Sequence, residues 1–181
     1  MNDELQILKN IAKGDTNAME MLYRQYAGYA TAVARRYVPN TDDMRDVLQD
    51  SFVKVFTNIN KFNYRGEGSL KAWIIRIVAN EAISMLRRTA KLTFTDEIPD
   101  KLIGEEEPEL DYISPDILND LIGKLPTGYR TVLNLFVFEN KSHKEIAKIL
   151  GIKEDSSASQ FFRAKKMLAH MIKDYKVRRK A

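Results

Sequence analysis

The sequence predicts an all-helical protein of two small helical domains joined by a flexible acidic linker. Apolar residues recur at spacings of three and four over most of the 181 residues, and no run alternates apolar and polar residues long enough to predict a strand. Hydrophobic residues make up 44% of the chain, which is enough to form buried cores. Between about Leu92 and Ser114 the helical spacing lapses, and prolines, a glycine and a run of glutamates predict the linker.

The first domain, residues 1–91, is predicted to begin with two amphipathic helices. The first helix stops at Gly14, and its apolar residues are Leu5, Ile7, Leu8 and Ile11. Either Asp15 or Thr16 can cap the second helix, which Pro39 ends because proline cannot donate a helical hydrogen bond. The apolar stripe of the second helix consists of Met19, Leu22, Tyr23, Tyr26, Ala30, Val33, Ala34 and Tyr37.

Two further helices complete the predicted N-terminal bundle. Thr41 is expected to cap the third helix and Ser69 the fourth, and a loop with two glycines, residues 63–68, lies between them. The apolar stripe of the third helix consists of Met44, Val47, Leu48, Phe52, Val55, Phe56 and Ile59. The fourth helix is expected to be buried through Leu70, Trp73, Ile74, Ile77, Val78 and Leu86.

The second domain, residues 114–181, is predicted to contain four helices. Ser114 and Pro115 fit an N-cap and a first helical position. The helices are expected at residues 117–125, 129–138, 144–150 and about 157–175, with turns at Pro126 and Asn140.

The last two of these helices predict a helix-turn-helix. Ser142 and Glu145 form a capping box, in which each side chain bonds the backbone N–H of the other residue. Gly151 stands where the short helix must end with a positive φ, and Asp155 or Ser156 can cap the next helix. A short helix, a glycine turn and a polar, basic second helix are typical of a DNA-reading motif. The alternative is a helical hairpin whose basic face is only solvated.

The second helix of this motif is polar along most of its first half. Its polar and basic residues are Ser156, Ser157, Ser159, Gln160, Arg163, Lys165 and Lys166. Phe161 lies on the same side as Ala158, Leu168 and Ile172 and is therefore expected in the core, which leaves Phe162 nearer the DNA face.

Charge is distributed unevenly along the chain, whose formal net charge is +4. Residues 1–91 hold 14 basic and 10 acidic residues, residues 92–113 hold 1 and 8, and residues 114–181 hold 14 and 7. Two basic blocks that flank an acidic segment indicate a polyanionic partner, although many solvated helical faces are equally basic.

The composition excludes several classes of protein. The chain has no cysteine and only two histidines, His143 and His170, which excludes disulfides, thiolate metal sites and histidine metal clusters. It shows no nucleophile–base set and no phosphate-binding glycine loop, so we expect neither a cofactor nor an enzyme. It has no apolar stretch near the ~18 residues that span a bilayer and no signal-peptide pattern, which predicts a soluble, cytoplasmic protein without membrane insertion.

Three stretches of the chain resemble one known family, in the order that the family has them. They are residues 46–56 (DVLQDSFVKVF); residues 64–66, 70–80 and 86–88 (YRG, LKAWIIRIVAN, LRR); and residues 125–165, with the runs LP, SHKEIA, LGI and RAK. They are similar to the polymerase-binding helix, the −10 segment and the −35-reading domain of extracytoplasmic-function sigma factors, the small promoter-recognition subunits of bacterial RNA polymerase. The resemblance covers nearly the full chain.

The resemblance implies that the outer face of the third helix docks on the clamp helices of the largest polymerase subunit. The docking residues would be Arg45, Asp46, Gln49, Asp50 and Lys54, which lie mostly opposite the stripe that contains Met44, Val47 and Leu48. The flap of the second-largest subunit, promoter DNA and an anti-sigma factor are further partners that the family implies. The alternative for the outer face is a charged surface that is only solvated.

The resemblance also implies that the glycine loop and the fourth helix hold the melted −10 DNA. An unstacked base needs an aromatic or polar pocket, together with cations for the phosphates. The expected residues are Tyr64, Arg65, Lys71, Arg76, Asn80, Arg87 and Arg88, with Lys91 as a further phosphate contact. The alternative for Asn80 is a helix cap or break, and Trp73 is expected in the core rather than as a stacking platform.

The −35 contacts implied by the family are Ser142, Ser156, Ser159, Gln160, Phe162, Arg163 and Lys166. The family often has basic residues where this chain carries Ala158 and Gln160, so we expect weaker phosphate anchoring here. The acidic linker resembles the family's connector, which threads the polymerase cleft and RNA exit path. A free-standing helix-turn-helix regulator is the rival function, but it would leave the first two motifs without a role.

Overall fold

The computed structural model describes residues 3–94 and 113–180, and these residues form eight α-helices and no strand. The helices are α1 (Asp3–Ala12), α2 (Thr16–Tyr37), α3 (Thr41–Asn58), α4 (Ser69–Arg88), α5 (Pro115–Gly123), α6 (Thr127–Leu133), α7 (His143–Leu150) and α8 (Glu154–Lys180). The all-helical prediction is confirmed. Most of the predicted linker, residues 95–112, lies outside the described residues.

The chain divides into two compact units, one ending at Leu86 and the other beginning at Arg87. The boundary predicted after residue 91 therefore lies a few residues beyond the observed division, which falls in the last turn of α4.

The first unit is built around α2, against which α1 and α3 pack. Its largest fully buried side chains include Leu22 and Tyr37 from α2, Val55 from α3 and Ile74 from α4. Helix α1 packs on α2 through a buried hydrogen bond that the Tyr26 hydroxyl donates to Glu4 Oε1 at 2.5 Å. Burial, followed by this hydrogen bond, raises the pKa of Tyr26 well above its ordinary value.

The sequence left the cap of α2 open between two residues and misassigned the cap of α3. Asp15 caps α2, because its carboxylate accepts from the N–H groups of Asn17 and Ala18. Asn40, rather than Thr41, caps α3 and accepts from the N–H groups of residues 42 and 43. The prediction for Thr41 was wrong because both residues have capping side chains and the helix begins one residue earlier than a Thr41 cap allows.

The second unit packs α5 and α6 against the long α8. Its core contains Ile122, Leu125, Tyr129, Leu133 and Ala164, with partly buried apolar residues around them. The Ser114 cap and the Pro115 start of α5 are confirmed. Helix α6 continues into a π-helical segment, Asn134–Phe138, so residues 127–138 are helical throughout, and Asn140 makes the predicted turn with a positive φ of 50°.

Arg130 joins α6 to the end of α5. Its guanidinium donates to the carbonyl oxygens of Gly123 and Leu125 at 2.9 and 2.8 Å. A cation at this position satisfies carbonyl groups that the end of a helix leaves unpaired. Burial lowers the pKa of Arg130 to about 10, so the group is still charged at neutral pH.

Candidate docking and nucleic-acid interfaces

The outer face of α3 presents all five predicted docking residues to solvent. Arg45, Asp46, Gln49 and Asp50 are exposed, whereas Val47 on the opposite side of the helix is buried. Val53 is also exposed and continues this face toward the end of α3. Sequence reasoning left it out because valine normally indicates core, although its spacing of three and four from Asp50 and Gln49 gave the signal.

Lys54, the fifth predicted docking residue, has a second role that the sequence did not indicate. Its ammonium group is hydrogen-bonded to the carboxylate of Glu81 on α4. The Lys54 side chain is 55% exposed, but the Glu81 side chain is only 2% exposed. Lys54 therefore holds a buried charge in place, and a polymerase-binding defect in a Lys54 variant would not by itself show that Lys54 touches polymerase.

The loop before α4 is closed by Ser69. Its hydroxyl donates to the Gly66 carbonyl at 2.6 Å and accepts from the Arg65 N–H at 3.2 Å. Ser69 is thus the first residue of α4 and ties down the loop, instead of being the residue that precedes and caps the helix. Gly66 and Gly68 have positive φ values of 115° and 80°, which only glycine adopts readily.

The predicted −10 residues lie on this loop and along α4. Tyr64 and Lys71 are half-buried, and Arg65, Arg76, Asn80, Arg87 and Arg88 are exposed. Arg76 and Asn80 are four residues apart on α4, so they share one face of the helix. Asn80 lies inside the uninterrupted helix, which excludes the alternative that it caps or breaks α4.

Trp73 is half-buried, and its ring lies against Phe62, with 5.0 Å between the ring centroids. The prediction that it belongs to the core holds in part. This contact joins the start of α4 to the residues that precede the glycine loop.

The helix-turn-helix has the predicted local structure. Both halves of the capping box are present: Ser142 Oγ accepts from the Glu145 N–H, and the Glu145 carboxylate accepts from the Ser142 N–H. Hydrogen bonds from the Ser142 backbone and hydroxyl, together with Lys141 and Lys148, hold the pKa of Glu145 below its usual value. Gly151 ends α7 with a φ of 70°, as predicted.

Helix α8 starts earlier than predicted, at Glu154, so Asp155 and Ser156 lie inside its first turn and neither is the cap. Ser159 and Phe162 are exposed, and Ser156, Arg163 and Lys166 are half-exposed. The Lys166 ammonium lies 5.0 Å from the Phe162 ring centroid. The predicted placement of Phe162 outside and of Phe161 against the core is confirmed.

The prediction that Gln160 lies on the −35 surface was wrong, because Gln160 is only 2% exposed. Its side chain lies against Gly128 at the start of α6, where an added Cβ would come within 3.1 Å of Gln160 Oε1. Ser157 is also buried, and its hydroxyl hydrogen-bonds His143 Nδ1 at 3.0 Å. Positions 157, 160 and 164 share one face of α8, and Ala164 on this face is also buried. In the sequence, the apolar Ala164 at this spacing was the signal that could have predicted the burial of Ser157 and Gln160.

Neither a spanning helix nor a metal site is found in the described ranges. No helix there is long and apolar enough to cross a membrane. No group of three or more acidic, histidine or cysteine side chains within those ranges is placed to hold a metal ion.

Comparison with known proteins gives two family models and a set of curated relatives. The model of Sigma-70 region 2 matches residues 22–92, and the model of Sigma-70, region 4 matches residues 116–168. The chain is 30% identical to the RNA polymerase sigma factor YlaC of Bacillus subtilis, over 75% of this chain and 80% of that one. It is 27% identical to the ECF RNA polymerase sigma-E factor of Haemophilus influenzae, over 92% and 93% of the two chains.

Two solved structures have a similar fold. CnrH, solved in complex with the cytosolic domain of CnrY, matches with a TM-score of 0.52 at 23% identity, over 96% of this chain and 99% of that one. The sigma factor RpoE of Bartonella quintana, solved with the anti-sigma factor NepR, matches with a TM-score of 0.51 at 19% identity, over 85% and 96%.

Proposed function

The chain belongs to the extracytoplasmic-function family of RNA polymerase sigma factors, and from this premise we propose how its two units divide the work of initiation. The first unit docks on core polymerase and opens the −10 region, and the second unit anchors the −35 region. The supporting observation is that the stretches matching region 2 and region 4 fall largely into separate compact units, each with an exposed polar face.

The docking surface in this proposal is the outer face of α3, with Arg45, Asp46, Gln49 and Asp50. These side chains point away from the buried stripe of α3 and lie outside the packed core. Two carboxylates on this face suit a basic or amide-rich partner surface such as a clamp helix. Lys54 contributes indirectly through its bond to Glu81.

The −10 surface consists of the glycine loop and the exposed side of α4. Tyr64 offers a ring for an unstacked base, Asn80 offers an amide for a base edge, and Arg65 and Arg76 offer charge for phosphates. The Ser69 bonds hold the loop backbone at Arg65 and Gly66, next to Tyr64, before DNA arrives.

The −35 surface is the exposed side of α8 and the start of α7, with Ser142, Ser156, Ser159, Phe162, Arg163 and Lys166. Ser142 serves chiefly to cap α7, so its contribution to DNA is confined to the remaining capacity of its hydroxyl. Arg163 and Lys166 supply the positive charge that a phosphate or a guanine edge attracts.

Regulation by an anti-sigma protein completes the proposal. The support is family membership together with the two solved relatives, each of which was determined with another protein bound. The flap of the second-largest polymerase subunit is the partner proposed for the second unit.

The test is run-off transcription with purified core polymerase on genomic fragments, with core association measured in parallel. Wild type should bind core and start transcription at defined sites. The variant Asp46→Lys/Asp50→Lys should lose core binding while keeping its helical circular dichroism. The matched control, Glu20→Lys/Asp174→Lys, makes the same charge change at exposed carboxylates on other faces and should bind core normally.

Two outcomes would refute the proposal. If the chain binds promoter DNA tightly alone and never associates with core, it acts as a free-standing helix-turn-helix regulator. If Asp46→Lys/Asp50→Lys binds core like wild type, the outer face of α3 is only solvated.

A further inference from the structure

Tyr29 on α2 has a large aromatic side chain that is exposed to solvent. It is 53% exposed, and the Lys71 ammonium from α4 lies 3.5 Å from its ring centroid. A cation over an aromatic ring at this distance is a cation–π contact, which orients both side chains. Tyr29 was not among the residues that the sequence indicated for any site.

The position of Tyr29 connects it with the −10 surface. Lys71 belongs to that surface, and it follows by two residues Ser69, which closes the glycine loop that carries Tyr64. Helix α2 thereby contributes an aromatic ring beside the loop and the start of α4.

Tyr23 provides a contrast on the same helix. It is similarly exposed, but its ring packs against Phe52 of α3, with 4.6 Å between centroids and an interplanar angle of 61°. The contacts of Tyr23 therefore serve the packing of α2 on α3. The contact of Tyr29 joins it to a cation that is itself suited to binding a phosphate.

We propose that Tyr29 is a further contact for single-stranded promoter DNA, stacking on a nucleotide next to the one held by Tyr64 while Lys71 binds the adjoining phosphate. This inference rests on the −10 role proposed for the first unit and extends that surface from the loop and α4 onto α2. Base stacking on an aromatic ring tolerates any base, so Tyr29 adds affinity and reach without adding base preference.

The experiment measures binding of the reconstituted polymerase–sigma complex to a fluorescent single strand. The probe is the non-template −10 strand of a promoter mapped by run-off transcription. Stacking on one ring is worth about 1–3 kcal/mol, so Tyr29→Ala should weaken binding on the order of 5- to 150-fold. Tyr29→Phe keeps the ring and should bind within about 2-fold of wild type.

Controls separate stacking from stability and from polymerase docking. Tyr29→Leu keeps apolar bulk without a ring, so it should weaken binding to the single strand as Tyr29→Ala does. It replaces Tyr29→Ala in the experiment if the alanine variant does not fold. Met21→Ala removes another exposed side chain of α2 and should leave binding unchanged. All variants should bind core polymerase like wild type.

Failure of the Tyr29 proposal can be distinguished from failure of the −10 role of the first unit. If Tyr64→Ala weakens the complex with the single strand but Tyr29→Leu does not, Tyr29 is no DNA contact, although the −10 role stands. If neither variant has an effect, the −10 role proposed for this surface fails as well. A loss of core binding by Tyr29→Leu, or a loss by Tyr29→Phe equal to that of Tyr29→Leu, would also overturn the proposal.

Discussion

Replacing Lys54 by methionine should destabilise the first unit. The change keeps an unbranched side chain but removes the ammonium that bonds the Glu81 carboxylate. Glu81 is 2% exposed, so water cannot freely replace the lost donor. Depriving a buried acceptor of a partner costs about 1–3 kcal/mol. In a domain of this size each kcal/mol lowers Tm by roughly 4–8 °C.

The assay is thermal and urea unfolding followed by tryptophan fluorescence. Trp73 is the only tryptophan of the chain, and it packs on Phe62 inside the first unit, so its emission reports that unit selectively. Lys54→Arg should retain most of the stability, because a guanidinium also donates to a carboxylate. Lys9→Met, which removes an exposed lysine of α1, should have little effect on the transition.

The double variant Lys54→Met/Glu81→Met gives the decisive comparison. The double variant leaves no buried carboxylate without a partner, so it should recover most of the lost stability. If Lys54→Met unfolds like wild type, or if the double variant is less stable than both single variants, the pair does not hold α3 on α4. Lys54 would then again be a candidate for direct contact with polymerase.

Three further predictions concern the DNA surfaces and pH. Arg163→Ala should weaken −35-dependent binding by about 1–3 kcal/mol, and a loss equal for all −35 sequences would identify a phosphate contact instead of a base contact. Asn80→Ala and Tyr64→Ala should spare core binding but lower open-complex formation, measured by permanganate footprinting. The loss should be smaller on templates whose −10 region is melted beforehand. Equal opening of duplex DNA by wild type and both variants would contradict a pocket for an unstacked −10 base. The lowered pKa of Glu145 means that its capping bonds stabilise α7 fully above the ordinary value of 4.5 and lose this effect as pH falls through the lowered pKa. The difference in Tm between wild type and Glu145→Ala should therefore shrink in acid, and a difference independent of pH would refute this assignment.

Helix ends were predictable where the signal is local. The Ser142–Glu145 capping box, the Ser114 cap and the positive φ of Gly151 are each formed by residues within a few positions of one another. Such contacts join a side chain to the backbone of a residue about three positions away, so the spacing of the residues in the sequence is enough to predict them. The error at Thr41 had the same local origin, because Asn40 beside it caps equally well.

The sequence by itself determined the helical class, the order of the three family motifs and most of the apolar stripes of α2 and α3, although Tyr23 of the α2 stripe is 48% exposed. Periodicity and motif order are properties of one stretch of chain at a time, so they are readable before any packing is known. The tertiary structure decided which polar side chains are available at the surface. Gln160 belongs to the polar, basic first half of α8, yet its side chain is buried where Gly128 leaves room for it. Lys54 lies on the exposed face of α3, yet its ammonium is bonded to the buried Glu81 of α4. Whether a polar group is buried depends on partners from other helices, and only the packed chain brings those partners together.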